Sequence, residues 1–106
     1  MYVHRAYWAA AIYLHGLATP ASDVEETQGL KRALGSAAHR IPAPALKSML
    51  GNAFAGSGAI EAAAALLALR DGPLPPTINL TDPDPACDLA SLASAGRELA
   101  VDVVTV

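Results

Sequence analysis

Gly58-Ala59-Ile60-Glu61-Ala62-Ala63-Ala64-Ala65-Leu66-Leu67-Ala68-Leu69-Arg70 is the stretch on which the reading of this chain turns. Glu61 is its one charged side chain before Arg70. At helical spacing no orientation gives it a polar face, and a helix that is apolar all round is buried all round. It closes a longer helical segment, residues 53–70, which Asp71-Gly72-Pro73 terminates. One layer of neighbours covers one side of a helix. The pattern therefore predicts a layered architecture in which part of the cover comes from other polypeptide.

The rest of the composition agrees. The chain has 106 residues, 53% hydrophobic and 16% charged, with 24 alanines. That size bounds it to one domain at most, and that composition excludes intrinsic disorder. Small side chains let backbones approach closely but bury little area each, so a domain this short is marginal alone. Seven basic against ten acidic residues, with no basic run, leave no footprint for a phosphate backbone. Nucleic acid is excluded as an expected partner. The single cysteine, Cys87, cannot form an intrachain disulfide, which fits a reducing, cytoplasmic setting. Residues 1–18 imitate a secretory signal, but His15-Gly16 interrupts the apolar run and nothing downstream looks disulfide-stapled. No stretch reaches the about 18–20 uninterrupted apolar residues that span a bilayer.

Upstream of the long helix, residues 9–15 read as a buried strand ended by Gly16, followed by a loop through Thr19-Pro20. Ser22 stands three residues before Glu25, the capping-box spacing, which predicts a helix over 23–34 with Lys31 and Arg32 at its negative end and Gly35 as its stop. Residues 41–45 contain Pro42 and Pro44, which cannot donate to a ladder, so any strand there is irregular. Downstream, residues 73–85 form a Pro-rich extended connection, and the β-branched residues 99–106 read as a strand. The alternation of strand and helix argues an α/β fold with a mixed sheet and a buried helix.

Three segments carry a more specific signal: Tyr13-Leu14-His15-Gly16-Leu17-Ala18-Thr19-Pro20, Leu46-Lys47-Ser48-Met49-Leu50-Gly51-Asn52, and the long helix running on to Pro75-Pro76-Thr77-Ile78-Asn79. Their order and spacing resemble the His-Gly-Thr-x-Thr-Pro loop, the Lys-Ser-x-x-Gly-His loop and the Pro-Pro-Thr-x-Asn turn of the β-ketoacyl synthases. Asp82-Pro83-Asp84-Pro85 and Cys87-Asp88-Leu89 continue the likeness, which covers about residues 11–106. The resemblance implies the C-terminal half of a thiolase-like fold, with residues 1–106 as a single partial domain. The fully apolar helix then has a reason: in the family it lies between layers, one of which comes from the N-terminal half.

What the resemblance implies about chemistry follows residue by residue. A cysteine of the N-terminal half, outside these 106 residues, takes the acyl chain as a thioester, and two histidines and a lysine support decarboxylation of the malonyl carrier. His15 occupies the first histidine position and Lys47 the lysine position, with Glu61 as a partner for Lys47. Asn52 stands where the second histidine belongs. A carboxamide donates a hydrogen bond but carries neither proton nor charge, so decarboxylative condensation should be weakened. Leu17 replaces the first of two hydroxyls that bind the pantetheine arm, and Thr19 keeps the second.

The expected partners are an active ketosynthase subunit or complementary half and an acyl carrier protein, whose phosphopantetheine carries the substrate. No permanently bound cofactor or metal is expected. The leading expectation is a non-catalytic subunit of the chain-length-factor kind. The alternatives are a fragment of an active β-ketoacyl carrier-protein synthase and a degenerate interaction module. Other polar residues have plainer readings. His4 and His39 belong to the surface, Ser22 and Thr27 to a cap and a helix face, and Ser48 has no adjacent base to activate it.

Overall fold

The computed structural model describes residues 10–89, 97–98 and 101–106. The signal-like residues 1–9, with His4 and the expected first strand residue Ala9, lie outside them, as do Leu99 and Ala100 at the start of the last expected strand. Strand β1 (Ala10–Ile12) pairs in parallel with β4 (Val103–Thr105), Ala11 opposite Val104. Strand β2 (Pro73–Leu74) pairs antiparallel with β3 (Arg97–Glu98). Between β1 and β2 come helix α1 (Pro20–Leu34), a 3-10 turn (Gly35–His39), the short helix α2 (Lys47–Leu50), a second 3-10 turn (Phe54–Gly56) and helix α3 (Ser57–Asp71).

The extended backbone around β1 runs two residues beyond the strand and is used on both edges. Tyr13 N–H donates to Thr105 O at 2.9 Å on the β4 side. Ile12 and Leu14 N–H, facing the other way, donate to Pro42 O at 3.0 Å and Pro44 O at 2.9 Å. The two prolines have no N–H to give and can only accept, so the one-sided pattern is what their chemistry permits. The expected irregular strand is thus a carbonyl-only edge beside β1.

Helix α1 begins earlier than its capping-box reading. Thr19, in extended conformation, is the N-cap, its hydroxyl oxygen accepting from Ser22 N–H, and Pro20 is the first helical residue. Ser22 is therefore inside the first turn, not the cap. Proline's fixed φ and missing N–H suit that first position, and a preceding threonine supplies the cap, so Thr19-Pro20 outcompetes Ser22. The C-terminal end matches the sequence: Gly35, at φ +57, donates to Lys31 O, with Lys31 and Arg32 in the last turn.

Helix α3 buries a stripe of Ser57, Glu61, Ala65 and Ala68, spaced four, four and three apart. Ala65 and Ala68 lie against Ala11, Tyr13, Leu74 and Val101, with Ala64 and Val104 at the margin. Alanines at the contact let the helix sit close to the sheet. Ile60, Leu66, Leu67 and Leu69 remain exposed, Leu66 to 68%. The described residues cover one side of α3 and leave an apolar face open. Tyr13 is buried in this core, its hydroxyl without a partner among the described residues, and burial raises its pKa. No helix among the described residues is long and apolar enough to cross a membrane.

The turn after β1 sets a sharp steric condition. Gly16 sits at φ +52, and a Cβ there would lie 2.8 Å from Ala45 Cβ. A Cβ on Gly29, inside α1, would meet nothing within 4 Å. Gly16→Ala should therefore destabilise by about 2–4 kcal/mol through left-handed strain plus overpacking, whereas Gly29→Ala should stabilise by about 0.5–1 kcal/mol. Urea unfolding of the two variants checks the opposite signs.

Candidate active site

Strand β1 delivers His15 just beyond its C-terminal end, and the turn that follows is held by α1. Both oxygens of Glu26 accept from the backbone, Oε1 from His15 N–H at 2.5 Å and Oε2 from Gly16 N–H at 3.1 Å. One helical turn earlier Asp23 Oδ1 accepts from Ala18 N–H at 3.2 Å. Three loop donors that no strand or helix satisfies are thus taken by two carboxylates on one face of a helix. Ala18 is held at φ +61, an uncommon conformation for a residue with a side chain. Sequence reasoning missed both acids. Their i, i+3 spacing just after a glycine turn was the available signal, but only the loop geometry shows that they point backwards.

Lys47 opens α2 and reaches toward α3. Its Nζ lies 2.6 Å from Glu61 Oε1, and both side chains are largely buried, 7% and 11% exposed. On its other side Nζ stands 3.5 Å from His15 Nδ1. An ammonium has only donors, so the contact is a hydrogen bond in the tautomer that leaves Nδ1 as an acceptor. Three residues from separate segments of the chain are thereby assembled: an imidazole, an ammonium beside it, and a carboxylate that balances the ammonium in a poorly hydrated place.

Asn52 lies in the loop between α2 and the second 3-10 turn. Its Oδ1 accepts from Phe54 N–H at 2.9 Å and from Ser57 Oγ at 3.1 Å. Asn52 and Lys47 line a cleft of about 440 Å³ together with Leu14, Leu17, Ile78 and Cys87. The far wall is set by cross-links from the Pro-Pro-Thr segment: Thr77 Oγ1 accepts from Ala45 N–H, and Ser48 Oγ accepts from Ile78 N–H, both at 2.9 Å. Ser48 is thus structural. The segment 80–89 closes one side of the cleft and is tied to α1 by the Lys31–Asp88 ion pair, which holds the Asp88 carboxyl below its usual range. Thr19 is exposed and its hydroxyl is engaged at the α1 cap, where it also meets Ser22 Oγ. Leu17 is exposed at the cleft, and His39 is exposed at the end of the first 3-10 turn.

The buried pair invites a direct test. Glu61→Gln or Lys47→Met alone leaves one buried charge unpaired and should cost about 3–5 kcal/mol. The double variant, which removes both charges, should recover much of that loss. Denaturant melts of the two single variants and the double variant, read as a double-mutant cycle, check the coupling.

Comparison with known proteins converges on one group. Residues 9–81 match the family described as Beta-ketoacyl synthase, C-terminal domain. The 3-oxoacyl-[acyl-carrier-protein] synthase 2 of Synechocystis sp. is 49% identical over 92 residues, 87% of this chain and 22% of that protein. The tetracenomycin polyketide synthase ketoacyl synthase alpha subunit of Streptomyces glaucescens is 42% identical over 93 residues, 88% of this chain and 22% of that protein. Among solved structures, a type II polyketide-synthase acyl-carrier protein in complex with its ketosynthase bound to the hexaketide offers a chain of 36% identity and TM-score 0.84, covering 92% of this chain and 24% of that one. The chain spans about a fifth of the length of the curated relatives it matches. The architecture is accordingly α/β, a C-terminal portion of the thiolase-like fold. With the His15 turn, the Lys47–Glu61 pair and these matches taken together, the chain belongs to the β-ketoacyl synthase family.

Proposed function

We propose that this chain is the C-terminal part of a ketosynthase-type subunit in carrier-protein-dependent acyl chain elongation, of the chain-length-factor kind rather than the condensing kind. The observation that carries the reading is Asn52. It lies in the cleft lining with Lys47, at the position where the family resemblance puts a second histidine. Decarboxylation of a malonyl thioester develops an enolate, which an imidazole or imidazolium stabilises by charge and proton as well as by hydrogen bonding. A neutral carboxamide supplies the hydrogen bond alone. Leu17, apolar where the family has a hydroxyl, also weakens the expected hold on a pantetheine arm.

In this reading the open apolar face of α3 is covered by further ketosynthase polypeptide, and the cleft faces the acyl chain brought by an acyl carrier protein. His15, Lys47 and Glu61 keep the family arrangement as a scaffold. Thr19 keeps the hydroxyl at the family's second pantetheine-binding position, where it also caps α1. No bound cofactor is required beyond the carrier's phosphopantetheine.

A second reading has its own support: the relatives at 49% and 42% identity are named as a synthase and as an alpha subunit. In that case the chain is part of an active β-ketoacyl synthase that uses Asn52 in place of the histidine.

Labelled malonyl carrier separates the two. In the assembly that co-purifies with the chain, carbon dioxide release at this site should be slow, and Asn52→His should raise it by about 10-fold or more. Release that is fast in the unaltered protein and falls in Asn52→His would overturn the non-condensing reading in favour of the active synthase. Mass spectrometry of the co-purifying chains gives a further check, the expected finding being a ketosynthase polypeptide. A second expectation concerns α3. Leu67→Asp puts a carboxylate on the open apolar face and should abolish the complex if that face is covered in the assembly. Sedimentation at micromolar concentration reads the result, and unchanged association would remove α3 from the interface.

A further inference from the structure

The hydrogen bonds around Asn52 determine which end of its side chain is available, and the ketosynthase reading enters only in the choice of ligand. Phe54 N–H can only donate, so the atom it meets at 2.9 Å is the amide oxygen. The same oxygen accepts from Ser57 Oγ at 3.1 Å, while Ser57 Oγ in turn accepts from Ala53 N–H at 3.0 Å, so the serine hydroxyl is used both as donor and as acceptor. Oδ1 is thus used twice, while Nδ2 has no hydrogen-bond partner among the described residues. Ser57 is buried at the start of α3, whereas Asn52 lines the cleft and is exposed. The Asn52–Phe54 bond spans two residues, the turn an asparagine side chain characteristically makes, and holds Phe54 at φ +52.

We infer that Ser57 is a positioning residue that holds the Asn52 carboxamide with Nδ2 toward the cleft, making residue 52 a non-titrating donor for the carbonyl oxygen of a bound thioester. Such a donor cannot act as a base or accept from the ligand. It favours an acceptor oxygen, and it does so with an orientation fixed before the ligand arrives. Ser57 contributes without touching the ligand, because without its hydroxyl the carboxamide keeps only the Phe54 bond and Ala53 N–H loses its acceptor.

Asn52 and Asn79 are the only asparagines in the chain, so selective nitrogen-15 labelling of asparagine in this chain within the intact assembly yields two side-chain amide signals to follow. In the ligand-free protein, Ser57→Ala should move the Asn52 signal and leave that of Asn79 in place, and Ser57→Thr, which keeps the hydroxyl, should restore it. With S-acetyl-N-acetylcysteamine as the thioester probe, the Asn52 Nδ2 signal should shift downfield. The probe's affinity should fall about 10-fold in Ser57→Ala, the loss of one oriented hydrogen bond, and return in Ser57→Thr. An Asn52 signal and an affinity unchanged by Ser57→Ala would overturn the positioning role. A probe that binds without moving the Nδ2 signal would overturn the donor assignment. The ligand-free comparison reads the carboxamide alone, so its failure is distinguishable from a failure of the acyl-elongation reading, which the decarboxylation assay judges.

Discussion

The Lys47–Glu61 ion pair is the interaction on which the arrangement depends. Glu61 is the single acid among the alanines, leucines and isoleucine that precede Arg70 in α3, and it lies on the buried side. A carboxylate in that place needs a partner of opposite charge, and Lys47 meets it at 2.6 Å. The requirement ties α2 to α3, and because Nζ also stands 3.5 Å from His15 Nδ1, it places the end of β1 in the same cluster. Replacement of such a pair by apolar groups is often neutral or stabilising, so its presence is better explained by the placement it enforces than by net stabilisation.

Around that cluster, loops are held by side chains doing what secondary structure does elsewhere. Glu26 and Asp23 satisfy N–H groups of residues 15, 16 and 18, Thr77 and Ser48 join the Pro-Pro-Thr segment to the loop before and within α2, and Asn52 and Ser57 close the loop before α3. Each removes the cost of an unpaired backbone or side-chain group. The result is a cleft whose walls come from separated stretches of chain yet are cross-linked to one another. Under the proposed function this preorganisation would suit a site where negative charge develops, with Asn52 supplying a donor without a charge.

The open face of α3 and the length of the relatives both bear on the proposed assembly. The helix was legible as apolar all round, but the described residues cover only its Ser57, Glu61, Ala65 and Ala68 side. Relatives of which this chain spans 22% supply much more polypeptide than is present in these 106 residues. In the proposed reading further polypeptide buries the remaining leucines and Ile60, and at about 25 cal/mol per Å² that burial would help to hold the layers together.

Composition and pattern alone determined the α/β class, the existence of both long helices, the Gly35 stop and the irregular, proline-limited edge at residues 41–45, because these follow from local rules of periodicity, capping and missing donors. The resemblance of the three quoted segments to the family's motifs made His15, Lys47, Asn52 and Glu61 candidates. The start of α1 departs from the capping-box reading because two local signals compete, and Thr19-Pro20 wins through proline's preset φ. Only the tertiary structure decided that Glu26 and Asp23 clamp the His15 turn, that Ser57 bonds to Asn52, and that one side of α3 stays open. Each of these depends on where a donor left over in one segment meets an acceptor from another, or on how much area neighbouring elements supply, and neither quantity is encoded in the spacing of residues along a single stretch of chain.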